Sequence, residues 1–190
     1  MRKTLCVSIP VLALLAAAPT GAGAGTLAGV TLPDKAAGDG QSLVLNGMGL
    51  RKKFFVKVYV GGLYLPAKER SAAKILAADA PRRMVLHFVY SVSAKQMCDA
   101  WNEGLEDNVS KPSAALRADF KTLCGYMEPI DKGQELVLTY LPGEGTRVEV
   151  NGKLKGTIQG KPAADALLST WLGPKPGPGE DFKKAVLGGG

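Results

Sequence analysis

Two neighbouring apolar segments, residues 43–51 and 55–65, constrain the fold of this chain more than any other feature. The first is rich in glycine, and the second alternates apolar and polar residues with a period of two, which is typical of strands with one buried face. A tight basic connection joins them, so the pattern predicts a hairpin. Gly47, Gly49 and Arg51 share one face, and we expect the glycines to leave empty volume beside the guanidinium. That volume suggests a pocket, whereas the simpler alternative is an arginine that reaches solvent at the strand end.

The rest of the chain predicts an α+β fold with a large, mostly antiparallel sheet of about six strands and a layer of helices on one face. Further strands are expected over residues 26–32, 82–90, 135–141, 146–150 and 153–158. Helices are expected over residues 71–78, 93–108, 111–124, 163–172 and 181–187. Polar and glycine-containing residues 35–41 indicate a turn, and residues 174–179 (PKPGPG) indicate a linker.

The first 24 residues have the pattern of a secretory signal peptide. Two basic residues precede an apolar run, and small residues mark a cleavage site near Ala24. Residues 25–190 are enough for a single domain. No later segment approaches the roughly 20 apolar residues that a membrane-spanning helix needs, so we expect no membrane span. The expected location is therefore the periplasm of a bacterium or the medium outside the cell.

The basic residues do not predict nucleic-acid binding. The formal net charge of +7 falls to +5 once Arg2 and Lys3 leave with the signal peptide. The densest clusters are residues 51–53 and the pair Arg82 and Arg83, and neither is a long basic run or part of a binding motif. Most of these side chains are expected to lie on a solvated face. A protein partner cannot be named from the sequence.

Two cysteines, Cys98 and Cys124, remain after processing, and in an oxidising compartment they predict one disulfide. Each lies in a predicted helix, so the bond would join two helices that pack together. No C-x-x-C pair is present, and His87 is the only histidine, so neither a redox pair nor a metal site is expected.

The motifs of several enzyme classes are missing from the sequence. It contains no G-x-S-x-G elbow, no phosphate loop and no G-x-G-x-x-G fingerprint. Hydrolase, kinase and dehydrogenase functions therefore have no support, and no cofactor is predicted. The chemistry that remains is one arginine, several tyrosines and apolar faces.

Several segments together resemble the family of proteins with the chalcone isomerase fold. The segments are Gly47-x-Gly49-x-Arg51, the strand sequences VKVY and GLYL that follow it, and the helix sequences WNEG and ALLSTWLG. The exported chain with its tryptophan-bearing helices is similar to the bacterial branch of that family. The resemblance covers about residues 29–187, and it implies a large antiparallel sheet, a layer of helices and a ligand cleft between the two.

The resemblance also implies roles for individual residues. Plant enzymes of the family cyclise chalcones to flavanones, and their arginine stabilises the negative charge that develops on the substrate oxygen. Arg51 matches that arginine, but Tyr59 stands where the enzymes have a threonine. The last polar position of the site corresponds to Thr170, which is followed by Trp171.

Two further positions of the enzymes, a helix tyrosine and an asparagine, have no equivalent in this chain. They fall near Gln96 and Glu103, or near Lys95 and Asn102 if the alignment moves by one residue. Neither alignment restores the original pair.

Three functions follow from this resemblance. The favoured one is binding of a small apolar ligand with a carboxylate or enone group, as in the fatty-acid-binding members of the family, with Arg51, Tyr59, Thr170 and Trp171 as contacts. The second is a chalcone isomerase-type intramolecular lyase with Arg51 as its catalytic residue. The third is an envelope interaction protein that binds no ligand.

Overall fold

The protein, seen here as a computed structural model that describes residues 24–38 and 40–189, contains nine strands and five helices in those ranges. In chain order the strands are β1 (Ala24–Leu27), β2 (Val30–Pro33), β3 (Lys35–Gly38), β4 (Gln41–Lys53), β5 (Val56–Leu65), β6 (Arg82–Phe88), β7 (Glu135–Leu141), β8 (Gly145–Val150) and β9 (Lys153–Ile158). The helices are α1 (Ala72–Ala77), α2 (Ala94–Asn108), α3 (Ala114–Tyr126), α4 (Lys161–Leu172) and α5 (Glu180–Val186). Apart from Ala24, the predicted signal peptide lies outside the described residues.

Strands β3 to β9 form one antiparallel sheet in which every strand pairs with its neighbours in sequence. This confirms the predicted α+β class with a mostly antiparallel sheet, although the sheet has seven strands. The single strand predicted over residues 26–32 is wrong, because the chain turns at Ala28 and Gly29 and forms the separate hairpin β1–β2. The turn predicted over residues 35–41 is also wrong, since β3 pairs with β4 there.

The two faces of the sheet are covered differently. On one face, strand residues such as Leu86, Leu136 and Val148 pack with the helices into the main core. The opposite face has a smaller core, which includes Leu32 of the β1–β2 hairpin and Val60 of β5. Helices therefore lie on one face, as predicted, and a hairpin covers part of the other.

Side-chain caps and a disulfide fix the helices that cover the sheet. Ser93 and Gln96 form a capping box at the start of α2, and Ser113 caps α3. Cys98 of α2 and Cys124 of α3 form a disulfide, with Cα atoms 5.0 Å apart. None of the helices that the structure describes has the length and apolarity needed to cross a membrane.

The glycines of β4 accommodate a helix instead of leaving empty volume. A β-carbon added to Gly47 would overlap the carbonyl oxygen of Ala185, and one added to Gly49 would lie 2.7 Å from the ring of Phe182. Both of these neighbours belong to α5. The expectation of space beside the glycines is therefore wrong, because α5 fills it.

Candidate functional site

A cavity of about 280 Å³ lies on the helix-covered side of the sheet, at the end where β4 turns into β5. Its wall is made by residues of β4, β5, β6, α2 and α4, and by part of the segment between α4 and α5. All four residues predicted to contact a ligand lie on this wall: Arg51, Tyr59, Thr170 and Trp171. The volume is close to the lower end of the range of about 300–1,000 Å³ that is usual for small-molecule pockets.

Arg51 places a positive charge on this wall. It is half-buried and lies directly opposite Tyr59 in the pairing of β4 with β5, with its guanidinium carbon 5.8 Å from the centre of the tyrosine ring. One guanidinium nitrogen also lies beside Gly177. Among the residues that the structure describes, no carboxylate forms an ion pair with Arg51. The guanidinium is therefore available to a negatively charged or strongly polar ligand group.

Tyr59 lies beside Arg51 and is fixed by aromatic contacts and one hydrogen bond. The indole N–H of Trp171 donates to the Tyr59 hydroxyl oxygen at 2.9 Å, and the rings of Phe88 and Phe182 contact the tyrosine ring edge-on. Burial raises the pKa of the Tyr59 hydroxyl, and the Arg51 charge and the Trp171 hydrogen bond offset part of this rise. The hydroxyl thus keeps its proton at neutral pH, and its own O–H remains a potential donor.

Trp101 of α2 forms the neighbouring part of the wall. Its ring contacts that of Trp171 edge-on, with the ring centres 5.3 Å apart. The Trp101 indole N–H is buried and has no hydrogen-bond partner in the described part of the chain. An unpaired buried donor costs about 1–3 kcal/mol, so this N–H is a local cost to the folded state. These two residues are the only tryptophans of the chain.

Thr170 offers the cavity little polar chemistry. Its hydroxyl donates to the carbonyl oxygen of Leu167 within α4, and its methyl group packs closely against Gly104 of α2. Thr170 thus acts mainly as a packing contact between α2 and α4. The polar chemistry of the predicted set is concentrated in Arg51 and Tyr59.

The structure distinguishes between the two alternative positions on α2. Gln96 and Glu103 lie on the cavity wall. Lys95 pairs with Asp99 at 2.8 Å, and the Asn102 amide lies beside the disulfide sulfur of Cys98. The Gln96 side-chain oxygen already accepts the backbone N–H of the helix cap, and Glu103 is exposed. Neither side chain replaces a helix tyrosine or asparagine of the enzymes.

Most of the apolar wall was not singled out from the sequence. It includes Val58, Leu86, Phe88, Val92 and Met97. Alternation along β5 and the helical spacing of α2 predict that such residues are buried, but neither pattern shows that they border a cavity.

The segment predicted to be a linker also belongs to the wall. Gly177 and Pro178 line the cavity, and the Gly177 N–H donates to the carbonyl oxygen of Thr170 at 2.9 Å. The sequence does not indicate that this segment is packed against the cavity, because ordered and flexible loops are both rich in proline and glycine.

The remaining polar candidates do not form a second centre. His87 lies outside the cavity wall and pairs with Glu135 at 3.1 Å. Within residues 24–38 and 40–189, no group of His, Cys, Asp and Glu side chains is arranged to hold a metal ion.

Comparisons with known proteins agree with this architecture. The sequence model of a family described as chalcone isomerase-like matches residues 24–188. The chain is similar in structure to a fatty-acid binding protein from Arabidopsis thaliana, with a TM-score of 0.67 and 16% sequence identity. That similarity covers 87% of this chain and 96% of the plant protein. No curated protein matches the sequence.

Proposed function

Because the chain belongs to the chalcone isomerase-like family, we propose that its cavity binds a small apolar ligand whose negatively charged or polar group contacts Arg51. A carboxylate is the group that suits a guanidinium best, since the two can form two parallel charge-assisted hydrogen bonds. The apolar wall would take the remainder of the ligand. The similarity to a plant fatty-acid binding protein supports an apolar acid as the ligand class.

The main support for this proposal is an arginine that has no carboxylate partner among the described residues and lies on the wall of a largely apolar cavity. A charge taken partly out of water is favourable only with a partner or with remaining solvent contact. Arg51 has the Tyr59 ring beside it, which supplies about 0.5–2 kcal/mol but no negative charge. A ligand carboxylate would supply the negative charge that the Tyr59 ring does not.

A second donor can position the same ligand group. The Tyr59 hydroxyl lies beside Arg51, and its oxygen is held in place by the bond from Trp171. Arg51 and Tyr59 thus give the cavity two donor groups on adjacent strands. A carboxylate or a ketone oxygen can accept from them, but an amine cannot form an ion pair there.

The first experiment identifies the ligand and tests the role of Arg51. Native mass spectrometry of the purified protein should reveal an apolar acid that co-purifies with it. Because Trp101 and Trp171 are the only tryptophans and both line the cavity, their fluorescence should change when a fatty acid is titrated into delipidated protein. Arg51→Ala should weaken that binding about tenfold or more, because this factor corresponds to the free energy of one hydrogen bond to a charged group.

A matched control separates this effect from a general loss of positive charge. Arg117 on α3 pairs with Glu106 at the surface and lies outside the cavity wall. Arg117→Ala should therefore bind the fatty acid as the wild type does. The proposal fails if a panel of fatty acids leaves the fluorescence unchanged, or if Arg51→Ala binds as tightly as the wild type.

Isomerase activity is the second candidate function. The observation that favours it is the pairing of Arg51 with the protonated Tyr59 hydroxyl, because both groups can stabilise negative charge on an enone oxygen. The weak point is positioning, since Thr170 and Gln96 use their polar groups within the protein. Naringenin chalcone should lose its absorbance faster with the wild type than with Arg51→Ala, and equal rates at the buffer level would exclude this function.

We also propose, from the sequence of the first 24 residues, that a bacterial cell exports the protein to the periplasm or the medium. The mass of the mature protein, purified from its native host, should then correspond to a chain that begins at Gly25. An interaction protein without a ligand is the least favoured function, since it gives no reason for the cavity.

A further inference from the structure

The turn between β4 and β5 exposes two phenylalanines to solvent. Phe54 is 88% exposed and Phe55 is 100% exposed. Val56 follows them at the start of β5, and Tyr90 lies at the same end of the sheet, where its N–H donates to the carbonyl oxygen of Val58. Of the five large hydrophobic residues that are exposed in the described ranges, only Leu154 lies elsewhere. The exposed apolar surface is thus concentrated at the end that holds the cavity.

The geometry of this turn does not explain its aromatic residues. Phe54 has a φ of +54°, in the left-handed region that bulky residues rarely adopt. The turn between β8 and β9, also two residues long, uses Asn151 and Gly152, which suit positive φ values. One turn of the sheet thus has residues that adopt positive φ values with little strain, and the other has an exposed Phe-Phe pair. Strain at such a position often accompanies a function.

Positive charges surround the exposed rings. Lys52 lies directly opposite Lys57 across the two strands, an arrangement of like charges that destabilises a hairpin, and Lys53 adds a third positive charge. None of these lysines forms an ion pair with a carboxylate in the part of the chain that the structure describes. The repulsion between Lys52 and Lys57 would become favourable beside a surface of negative charge.

We propose that this hairpin tip, residues 52–57, docks on the surface of a lipid bilayer that carries anionic headgroups. The two phenylalanine rings enter the boundary between headgroups and acyl chains, and the lysines contact the headgroups. Phe54, Val56 and Tyr90 also line the cavity, so docking places the cavity beside the lipid. An apolar ligand can then pass between membrane and cavity without crossing water. The docking itself does not depend on the ligand function proposed above.

Vesicle sedimentation tests this docking with the full mature chain. Vesicles of phosphatidylcholine mixed with phosphatidylglycerol should bind the protein, vesicles of phosphatidylcholine alone should bind it much more weakly, and added salt should reduce the binding.

Phe55→Ser should weaken the binding to the mixed vesicles roughly tenfold or more, because the variant lacks the apolar ring that the membrane would bury. Lys52→Gln and Lys57→Gln should each weaken it about fivefold. Leu154→Ser, which removes an exposed apolar residue far from the tip, should bind as the wild type does.

Two controls make the result specific to docking. Phe55 is fully exposed and lies outside the cavity wall, so Phe55→Ser should unfold at the same denaturant concentration and bind a soluble fatty acid as the wild type does. Loss of vesicle binding with normal fatty-acid binding supports docking, whatever the ligand proves to be. Equal binding to neutral and anionic vesicles, no binding at all, or unchanged binding by Phe55→Ser would overturn the proposal. A concentration-dependent dimer that Phe55→Ser abolishes would also overturn it, since a second copy would then cover the tip.

Discussion

Two arginine–tyrosine pairs lie on the helix-covered side of the same sheet, and their surroundings differ. Arg82 faces Tyr140 across β6 and β7, and Arg51 faces Tyr59 across β4 and β5. In each pair the guanidinium lies over the tyrosine ring, at 4.7 Å for Arg82 and 5.8 Å for Arg51. Because Tyr59 pairs with Phe88 at the far end of β6, about 20 Å of strand separates the two sites.

The Arg82 site is closed by the protein itself. Its guanidinium donates to Asp165 of α4 at 2.5 Å and to the carbonyl oxygen of Ile75 at 3.2 Å, and the residue is only 4% exposed. Lys161 also pairs with Asp165, so this one carboxylate is shared by two cations. The space left beside Arg82 is about 20 Å³, too little for any ligand beyond a water molecule.

The Arg51 site has the same strand geometry, but no carboxylate in the described part of the chain pairs with its arginine. Its cavity of 280 Å³ is about fourteen times larger than the 20 Å³ beside Arg82. Arg82 forms an ion pair with a side chain of the protein, whereas Arg51 faces a space that a ligand can fill. The difference suggests that Arg82 serves stability and that Arg51 serves binding. Substitutions at the two arginines test this division of roles.

The largest effect should come from removing the arginine of the closed site. Arg82→Ala removes a buried guanidinium that donates to Asp165 and to the carbonyl oxygen of Ile75, and it creates a void, so we expect the free energy of unfolding to fall by about 3 kcal/mol. Arg51→Ala removes the contact of the guanidinium with Tyr59 and should lower it by about 0.5–1 kcal/mol. Urea unfolding followed by circular dichroism measures both values.

For ligand affinity, the larger loss should come from Arg51→Ala and the smaller from Arg82→Ala, which is the reverse of their order for stability. Arg51→Ala should lose affinity for a fatty acid, whereas Arg82→Ala, measured below its unfolding transition, should retain it. Equal losses of stability in the two variants would show that the contrast between the closed and open sites is false.

Local patterns in the sequence predicted most of the fold. Alternation identified β5, and serine caps identified the starts of α2 and α3, because these signals depend on residues only a few positions apart. One strand was predicted over residues 26–32, where β1 and β2 form a hairpin, because the turn at Ala28 and Gly29 has no clear local signal. This hairpin packs Val30 and Leu32 on an apolar face of the sheet. Strand β3 contains no β-branched residue and forms because β4 offers it an edge.

The candidate site was predicted less completely, because its geometry depends on distant contacts. The resemblance to a family selected Arg51 and Tyr59, and the structure places both on a cavity wall. No local pattern indicated that Asp165 would pair with Arg82, 83 positions away, so Arg82 was expected in a solvated basic cluster. The partner of a buried charge is set by tertiary packing and has no local pattern.

Substitution of a β4 glycine should have an effect of intermediate size on stability. In Gly47→Ala the new methyl group must displace α5, so we expect a loss of about 1–3 kcal/mol in the free energy of unfolding. The segment before α5 borders Arg51, so this variant should also change fatty-acid affinity, which Arg82→Ala should not. Gly125→Ala is a matched control, because a β-carbon there meets no neighbouring atom. A stable Gly47→Ala protein would show that α5 can move without cost.

The tyrosines of the two sites share a raised pKa, and their substitution should have the smallest effect on stability at neutral pH. Burial raises the pKa of Tyr140 to about 12, helped by the hydrogen bond that its hydroxyl donates to Asp79, and burial also raises the pKa of Tyr59. In the unfolded chain a tyrosine loses its proton near pH 10, so the folded state binds more protons between about pH 10 and pH 12. Stability should be constant with respect to these groups below about pH 10 and should fall as the pH rises above it.

Phenylalanine variants assign this alkaline loss to the two sites. Tyr140→Phe and Tyr59→Phe should each lower the free energy of unfolding at pH 7 by about 1 kcal/mol, since each breaks one hydrogen bond, which is partly buried at Tyr140 and buried at Tyr59. Each should also make the decline above pH 10 shallower, because one raised pKa has been removed. Tyr64, whose pKa burial raises to about 12, keeps part of the decline in both variants. If only Tyr140→Phe flattens the decline, then Tyr59 ionises as an exposed tyrosine does, and water enters the Arg51 cavity more freely than its aromatic contacts indicate.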